Sequence, residues 1–128
     1  RGSSIMDNIN KDNKQGNHFC IFDELYSGTN PEEAIASSYV FMKNLSEKKN
    51  VSYLLTTHFN ELCKSLDMEK NITNYHMFSK YNNNNIVFTY KIKKGINKIK
   101  GGIEVLKKMN FPKNMINETI DFLNETNI

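Results

Sequence analysis

The sequence has 128 residues, which fits one domain or a piece of a larger one. Hydrophobic residues make up 38% and charged residues 24%, enough apolar material for one packed core and too much for a wholly disordered chain. No apolar run approaches the roughly 20 residues that span a bilayer, and no leader-type segment opens the chain. We therefore expect an intracellular protein and exclude the membrane and secreted classes.

The net charge is +3, from 17 basic and 14 acidic residues, and Arg1 is the only arginine. Enrichment in Lys, Asn and Ile is typical of an A+T-rich genome and is compatible with a viral, protist or organellar source. The charge of the whole chain falls short of the strongly basic footprint that would by itself indicate nucleic-acid binding. Lysine also lacks the planar fork with which arginine reads guanine or clamps phosphate.

Two cysteines, Cys20 and Cys63, lie 43 positions apart. This spacing favours reduced thiols in a reducing compartment. A zinc site needs four ligands at metal-like spacings, and only His18 and His58 accompany Cys63 in any such pattern. We expect no zinc site.

Hydrophobic periodicity and turn-forming residues predict alternating helices and strands in the first half of the chain. The predicted elements are a short helix ending near Asn10, a loop over Lys11–Asn17, a buried strand His18–Phe22, a helix from Pro31 to about Lys48, a strand Val51–Thr57 and a helix His58–Ser65. Pro31 suits a first helical position, and the glutamates that follow it suit the positive end of a helix.

The second half predicts a hairpin followed by two helices. The predicted elements are alternating strands Thr73–Tyr81 and Ile86–Lys93 around an Asn-rich turn, a Lys-rich loop Gly95–Gly102, and helices Ile103–Met109 and Pro112–Asn127. Strand, helix, strand, helix, hairpin and two helices in this order predict an α/β fold with parallel core strands.

Two acidic residues, Asp23 and Glu24, directly follow the first predicted strand. The carboxyl ends of parallel strands are where ligands bind in open α/β sheets, and a divalent cation allows two neighbouring carboxylates to stay ionised. We expect Asp23 to hold Mg²⁺ through its water shell and Glu24 to polarise an attacking water as general base. The alternative is an acidic pair that only ends the strand before a turn.

A histidine, His58, ends the second predicted strand at the predicted start of a helix. There it could donate a hydrogen bond to a phosphate oxygen, and the alternative is a local helix cap. The 34 residues from Glu24 to His58 equal one strand–helix–strand step, so we expect both side chains to meet in one crevice.

The ordered set of motifs resembles the carboxyl-terminal half of the ATPase domain of the MutS family, the ATP-binding-cassette-type ATPases of DNA mismatch repair. The residues that carry this resemblance are Phe19–Glu24 (FCIFDE), Ser27–Asn30 (SGTN), Thr56–Leu62 (TTHFNEL), Gly95, Gly102-Ile103 and Phe111-Pro112. The similarity covers about residues 18–126. It implies a partial P-loop NTPase fold with an antiparallel hairpin and a carboxyl-terminal helix-turn-helix.

The resemblance also implies a role for each matching residue. Asp23 matches the Mg²⁺-associated Walker B aspartate, Glu24 the catalytic glutamate, and His58 the switch histidine that senses the γ-phosphate of ATP. Four residues match the D-loop, which in this family touches the other subunit near the shared nucleotide: Ser27, Gly28, Thr29 and Asn30.

Three segments follow from this comparison. Residues 1–17 are a polar lead-in or the end of the preceding helix, 18–94 match the ATPase part, and 95–128 match the helix-turn-helix that the family uses in dimerisation. The implied partners are ATP, Mg²⁺, mismatched duplex DNA through the longer protein, and a second subunit that is either identical or a paralogue. The unusual D-loop leaves the subfamily open.

A P-loop of the form G-x-x-x-x-G-K-[ST] is missing, because no glycine in this chain is followed by lysine. Without the backbone cradle and lysine that hold the β- and γ-phosphates, the chain is expected to be a fragment or incomplete gene product, inactive alone. Two alternatives stay open. One is another ATPase of the cassette type, from chromosome maintenance or a transporter. The other is a degenerate cassette kept only for dimerisation.

Overall fold

The computed structural model describes residues 2–11, 16–82, 85–99 and 101–126. Its elements in chain order are α1 (Gly2–Lys11), β1 (His18–Asp23), α2 (Pro31–Ser46), β2 (Val51–Thr56), α3 (Asn60–Leu66), β3 (Tyr75–Asn82), β4 (Asn85–Lys94), α4 (Gly102–Lys108) and α5 (Lys113–Glu125). Most of the predicted loop over 11–17, the tip of the Asn-rich turn and the predicted helix end at Asn127 lie outside the described residues.

The chain divides into two compact units. The first comprises residues 1–74 with 94–96, and the second comprises 75–93 with 97–128. None of the helices in the described ranges combines the length and apolar character that a membrane crossing would require.

The first unit is built on two parallel strands. β1 and β2 pair in register from His18 opposite Val51 to Asp23 opposite Thr56, with α2 as the crossover between them. This confirms the predicted parallel core. Because parallel strands run in the same direction, Asp23 and Thr56 end at the same edge of the sheet.

One face of this sheet carries the hydrophobic core. Phe22 of β1 is buried, and Cys20, Tyr53 and Leu55 pack against the same cluster. The helices supply the rest of that core: Ile9 of α1, Met42 and Leu45 of α2, and Leu62 and Leu66 of α3. The spacing of four between Ala34, Ser38 and Met42 places one stripe of α2 on the sheet.

The opposite face of the sheet carries large apolar side chains that the described residues leave exposed. Phe19, Ile21 and Leu54 are 64%, 67% and 58% exposed. Ile21 and Leu54 lie side by side in the register, and Phe19 precedes them on the same face by the alternation of strand side chains. Parallel sheets are normally covered by helices on both faces. This exposed apolar surface is therefore of the kind that a further layer of structure covers.

The second unit contains a hairpin and two helices. β3 and β4 form their own two-stranded sheet, an antiparallel hairpin. Ile86 of β4 and Ile116 of α5 are buried, and α4 packs against α5. The predicted hairpin and both carboxyl-terminal helices are confirmed.

Within this unit Glu104 is a buried carboxylate, only 6% exposed, whose Oε1 lies 2.7 Å from Nζ of Lys107. The hydrogen bond from Lys107 lowers the pKa of Glu104 below its ordinary value. A carboxyl group whose folded-state pKa is depressed stabilises the fold above its unfolded pKa, about 4.3, and loses that contribution as the pH falls through the folded-state pKa. We therefore expect the melting temperature to drop on acidification below about pH 4.3, and to drop less in Glu104→Gln.

Thermal melting by circular dichroism at a series of pH values between neutrality and strong acid tests this expectation. Glu118→Gln is the matched control, because Glu118 is an exposed glutamate of α5. An identical acid dependence in Glu104→Gln and the unmodified chain would show that this ion pair does not contribute.

Candidate active site

The candidate site lies at the carboxyl ends of β1 and β2, which are adjacent in the sheet. Asp23 is paired with Thr56, and the Thr56 hydroxyl donates a hydrogen bond to Asp23 Oδ1. The backbone continues this pairing one residue further, where Glu24 N donates to Thr56 O at 3.0 Å. Thr56 therefore fixes both the side chain of Asp23 and the backbone of Glu24.

Glu24 leaves the strand with a left-handed backbone, at φ 50°. This conformation is unusual for a non-glycine residue and costs about 1 kcal/mol. It accompanies a 3.0 Å hydrogen bond between Glu24 Oε1 and His58 Nδ1. Because an ionised carboxylate only accepts hydrogen bonds, Nδ1 is the donor in that state and Nε2 remains the outward nitrogen of the ring.

The structure thus brings Asp23, Glu24 and His58 to one end of the sheet, as their spacing predicted. All three side chains are exposed, so the cluster is open to solvent. Two carboxylates and an imidazole in this arrangement can bind a hydrated cation, accept a proton and contact an anionic group. The sequence did not identify Thr56 as their organiser, although the Thr56-Thr57-His58 run contains it.

The prediction that His58 starts a helix is wrong, because α3 begins two residues later, at Asn60. The Thr57 side chain explains the delay: Thr57 Oγ1 accepts a 3.1 Å hydrogen bond from Phe59 N, a local turn that competes with helix formation. The ring centroids of His58 and Phe59 lie 4.3 Å apart. His58 is therefore held by Glu24 and Phe59 rather than by a helix terminus.

The four predicted D-loop residues lie in the turn between Glu24 and α2. Tyr26 is left-handed at φ 59°, and its carbonyl accepts from both N and Oγ1 of Thr29. Asn30 is the N-cap of α2, where its Oδ1 accepts from Glu32 N at 2.9 Å. Ser27 and Gly28 are exposed, and a Cβ on Gly28 would meet nothing within 4 Å.

The two cysteines are both free and half-buried, and they lie outside this cluster. Burial raises the pKa of both the Cys20 and Cys63 thiols, which lowers their reactivity at neutral pH. Across the described ranges, no group of three or more His, Cys, Asp or Glu side chains is arranged to hold a metal ion by itself.

Comparison with known proteins gives a family to this arrangement. The family model described as MutS domain V matches residues 3–127. The chain belongs to the MutS domain V family. The matched range includes both strand ends and the helices of the second unit.

Individual relatives agree with this assignment. The chain is 33% identical over 123 residues to the DNA mismatch repair protein MutS of Aquifex pyrophilus, covering 96% of this chain and 14% of that protein. It is 30% identical over 104 residues to the DNA mismatch repair protein MutS of Prochlorococcus marinus (strain MIT 9312), covering 81% of this chain and 11% of the relative.

A eukaryotic relative is also similar. The DNA mismatch repair protein spellchecker 1 of Drosophila melanogaster is 26% identical over 105 residues, covering 82% of this chain and 12% of that protein. The MutS domain V chain thus spans between 11% and 14% of the length of these three relatives.

Proposed function

We propose that this chain is the carboxyl-terminal part of a MutS-like ATPase domain, which in the longer protein hydrolyses ATP in a cycle coupled to binding of mismatched DNA. The observation that carries the proposal is the 3.0 Å contact between Glu24 and His58 beside Asp23, at the carboxyl ends of two adjacent parallel strands. Ligands of open α/β sheets bind at this edge. Membership in MutS domain V and the names of the relatives support the role in mismatch repair.

Asp23 is the proposed ligand of the cation, and Glu24 is the proposed base for the attacking water. Their exposed carboxylates fit Mg²⁺, which takes one or two carboxylates and keeps several of its waters. Asp23, oriented by the Thr56 hydroxyl, would hold the ion in this way. When bound, Mg²⁺ supplies positive charge against the phosphates of ATP. Glu24 would accept the proton of the attacking water with one carboxylate oxygen while the other faces His58.

His58 acts at the phosphate side of the same site. Its Nδ1 is held by Glu24, which orients the ring and leaves Nε2 to face the γ-phosphate. A hydrogen bond from Nε2 to that phosphate would couple the presence of the γ-phosphate to the position of Glu24. The pair would in this way sense whether ATP or ADP occupies the site.

The turn at Ser27–Asn30 is the proposed contact with a second subunit. The open space around Gly28 supports this role, because the glycine is not required for packing inside the chain. Asn30 contributes by ending the turn as the cap of α2. The helix-turn-helix of α4 and α5 is the second proposed dimerisation element, in a homodimer or a heterodimer with a paralogue.

The P-loop is proposed to come from a polypeptide segment outside these 128 residues. The chain contains no G-x-x-x-x-G-K-[ST] sequence, so a cradle for the β- and γ-phosphates must come from elsewhere. The uncovered Phe19, Ile21 and Leu54 support this view, because a further layer on that face would reach the edge where Asp23 lies.

The proposal is tested by comparing the isolated chain with a joined protein, in which this chain replaces the matching 14% of the Aquifex pyrophilus relative. We expect Mg²⁺-dependent phosphate release from the joined protein and none above background from the isolated chain. Mg²⁺-dependent hydrolysis by the isolated chain would contradict the proposal that a P-loop from outside these 128 residues completes the site. A joined protein that binds ATP and dimerises without turnover would indicate a degenerate module instead.

A further inference from the structure

The charge of +3 conceals an uneven distribution along the sequence. Residues 1–74 carry eight basic and ten acidic residues. Residues 75–113 carry nine lysines and one acidic residue, and 114–128 carry three acidic residues and no basic one. The middle segment therefore has a net charge of +8, far more basic than the chain as a whole.

An A+T-rich genome does not explain this segment. Codon bias would raise lysine throughout the chain, and it would not reduce aspartate and glutamate to a single residue in a stretch of 39. Glu104 is the one acidic residue there, and it is buried against Lys107. The second unit presents a set of exposed lysines from this segment: Lys80, Lys91, Lys93, Lys98, Lys107, Lys108 and Lys113.

Aromatic side chains are exposed on the same unit. Tyr81 of β3 is 61% exposed and Tyr90 of β4 is 84% exposed. Tyr90 also has a left-handed backbone, at φ 56°, within β4. Lysine ammonium groups lie over the faces of two other rings. Lys93 Nζ is 3.5 Å from the Phe78 ring centroid. Lys108 Nζ is 4.6 Å from that of Phe88.

A groove of about 480 Å³ joins the two kinds of side chain within the second unit. Tyr81 lines it together with Lys98 and the Glu104–Lys107 ion pair, beside apolar side chains that include Ile103 and Leu123. The Tyr81 ring and the apolar side chains can accept a flat base, and the ammonium group of Lys98 can contact the phosphate beside it.

We propose that the second unit binds single-stranded nucleic acid, with phosphates on its exposed lysines and a base stacked against Tyr81 in the groove. Lysine acts as a point charge that suits contact with the phosphate backbone, and such contacts position a nucleic acid without reading its sequence. Stacking on exposed rings requires bases that are already unpaired. An acidic protein or a lipid surface would use the lysines and would not need the groove beside Tyr81.

This binding is a property of the second unit and does not depend on the proposed ATPase. None of its residues belongs to the cluster of Asp23, Glu24 and His58. Its failure would leave the ATPase proposal intact, and the reverse also holds.

The test uses the whole 128-residue chain and a fluorescein-labelled oligo(dT), with binding followed by anisotropy over a range of salt concentrations. We expect the logarithm of the association constant to fall linearly with the logarithm of the salt concentration. The slope should be steeper by about 0.7 for each phosphate contacted. The triple variant Lys91→Gln/Lys98→Gln/Lys108→Gln is expected to bind about tenfold or more weakly at low salt, and to lower the slope by about 2.

The matched control removes three exposed lysines of the first unit, as Lys49→Gln/Lys64→Gln/Lys70→Gln. It has the same net charge as the first triple variant, and we expect it to bind within about twofold of the unmodified chain. Tyr81→Ala is expected to lose about tenfold in affinity with the slope unchanged, and Tyr81→Phe to restore binding. Circular dichroism of each variant verifies the fold.

Three results would overturn the proposal. One is the absence of salt-dependent binding to oligo(dT), and another is an equal loss in both triple variants. The third is loss of the preference for single strands. In that case the chain would bind the matching duplex, polyglutamate or phosphatidylserine vesicles more tightly than oligo(dT), and Tyr81→Ala would not change binding. The last pattern would assign the lysines to a general anionic partner.

Discussion

Glu24→Gln in the joined protein is expected to lower kcat for ATP hydrolysis by about 100- to 10,000-fold, the usual contribution of a general base. Glutamine keeps the size and one hydrogen-bond acceptor of the side chain, so the partner of His58 Nδ1 is retained. The proton acceptor is lost. ATP affinity should therefore stay within about threefold, because in the joined protein the proposed P-loop and Mg²⁺ would hold the phosphates. Phosphate release and equilibrium binding of a fluorescent ATP analogue measure the two quantities separately.

Glu47→Gln is the matched control, because Glu47 is an exposed glutamate just after α2, at the other end of that helix from the Glu24 turn. It should leave kcat unchanged. Full turnover in Glu24→Gln would refute the role of base, and a parallel loss of ATP binding would assign Glu24 to nucleotide binding instead.

The sequence predicted the element order and most boundaries because its signals were local and strong. His18–Phe22 is a short apolar run, and the structure extends the strand by one residue, to Asp23. Pro31 marks the beginning of α2, because its fixed φ suits the first position of a helix. The predicted convergence of Glu24 and His58 followed from the geometry of one strand–helix–strand step, which leaves few alternatives.

The sequence did not predict features that depend on contacts between distant residues. The left-handed backbone at Glu24 accompanies its pairing with Thr56 and His58, and glutamate has no intrinsic preference for that conformation. The late start of α3 depends on the Thr57 side chain, which competes with the helix for a backbone donor. The uncovered face of the sheet is equally invisible in sequence, because Ile21 and Leu54 read as core residues whether or not a second layer is present.

Leu45→Ala is expected to destabilise the first unit by about 2–5 kcal/mol, the range for removing a fully buried leucine. Leu45 is 0% exposed and belongs to the cluster that joins α2 to β1 and α3. Typical domains are stable by only about 5–15 kcal/mol. A unit with one sheet face uncovered buries less apolar area than a closed α/β domain, so this loss is a large share of its stability. Urea unfolding followed by circular dichroism measures it, since the chain has no tryptophan for fluorescence.

Val40→Ala on the same helix is the control, because Val40 is 57% exposed. Its effect should stay within about 0.5 kcal/mol, since an exposed substitution opens no cavity and alanine favours helix. Equal losses in the two variants would mean that the stripe of α2 facing the sheet does not organise this unit. A large loss in Leu45→Ala alone would show that the packing of α2 stabilises the sheet whose two strands end at Asp23 and Thr56. The activity of variants at Asp23, Glu24 and His58 would then have to be interpreted together with the stability of that core.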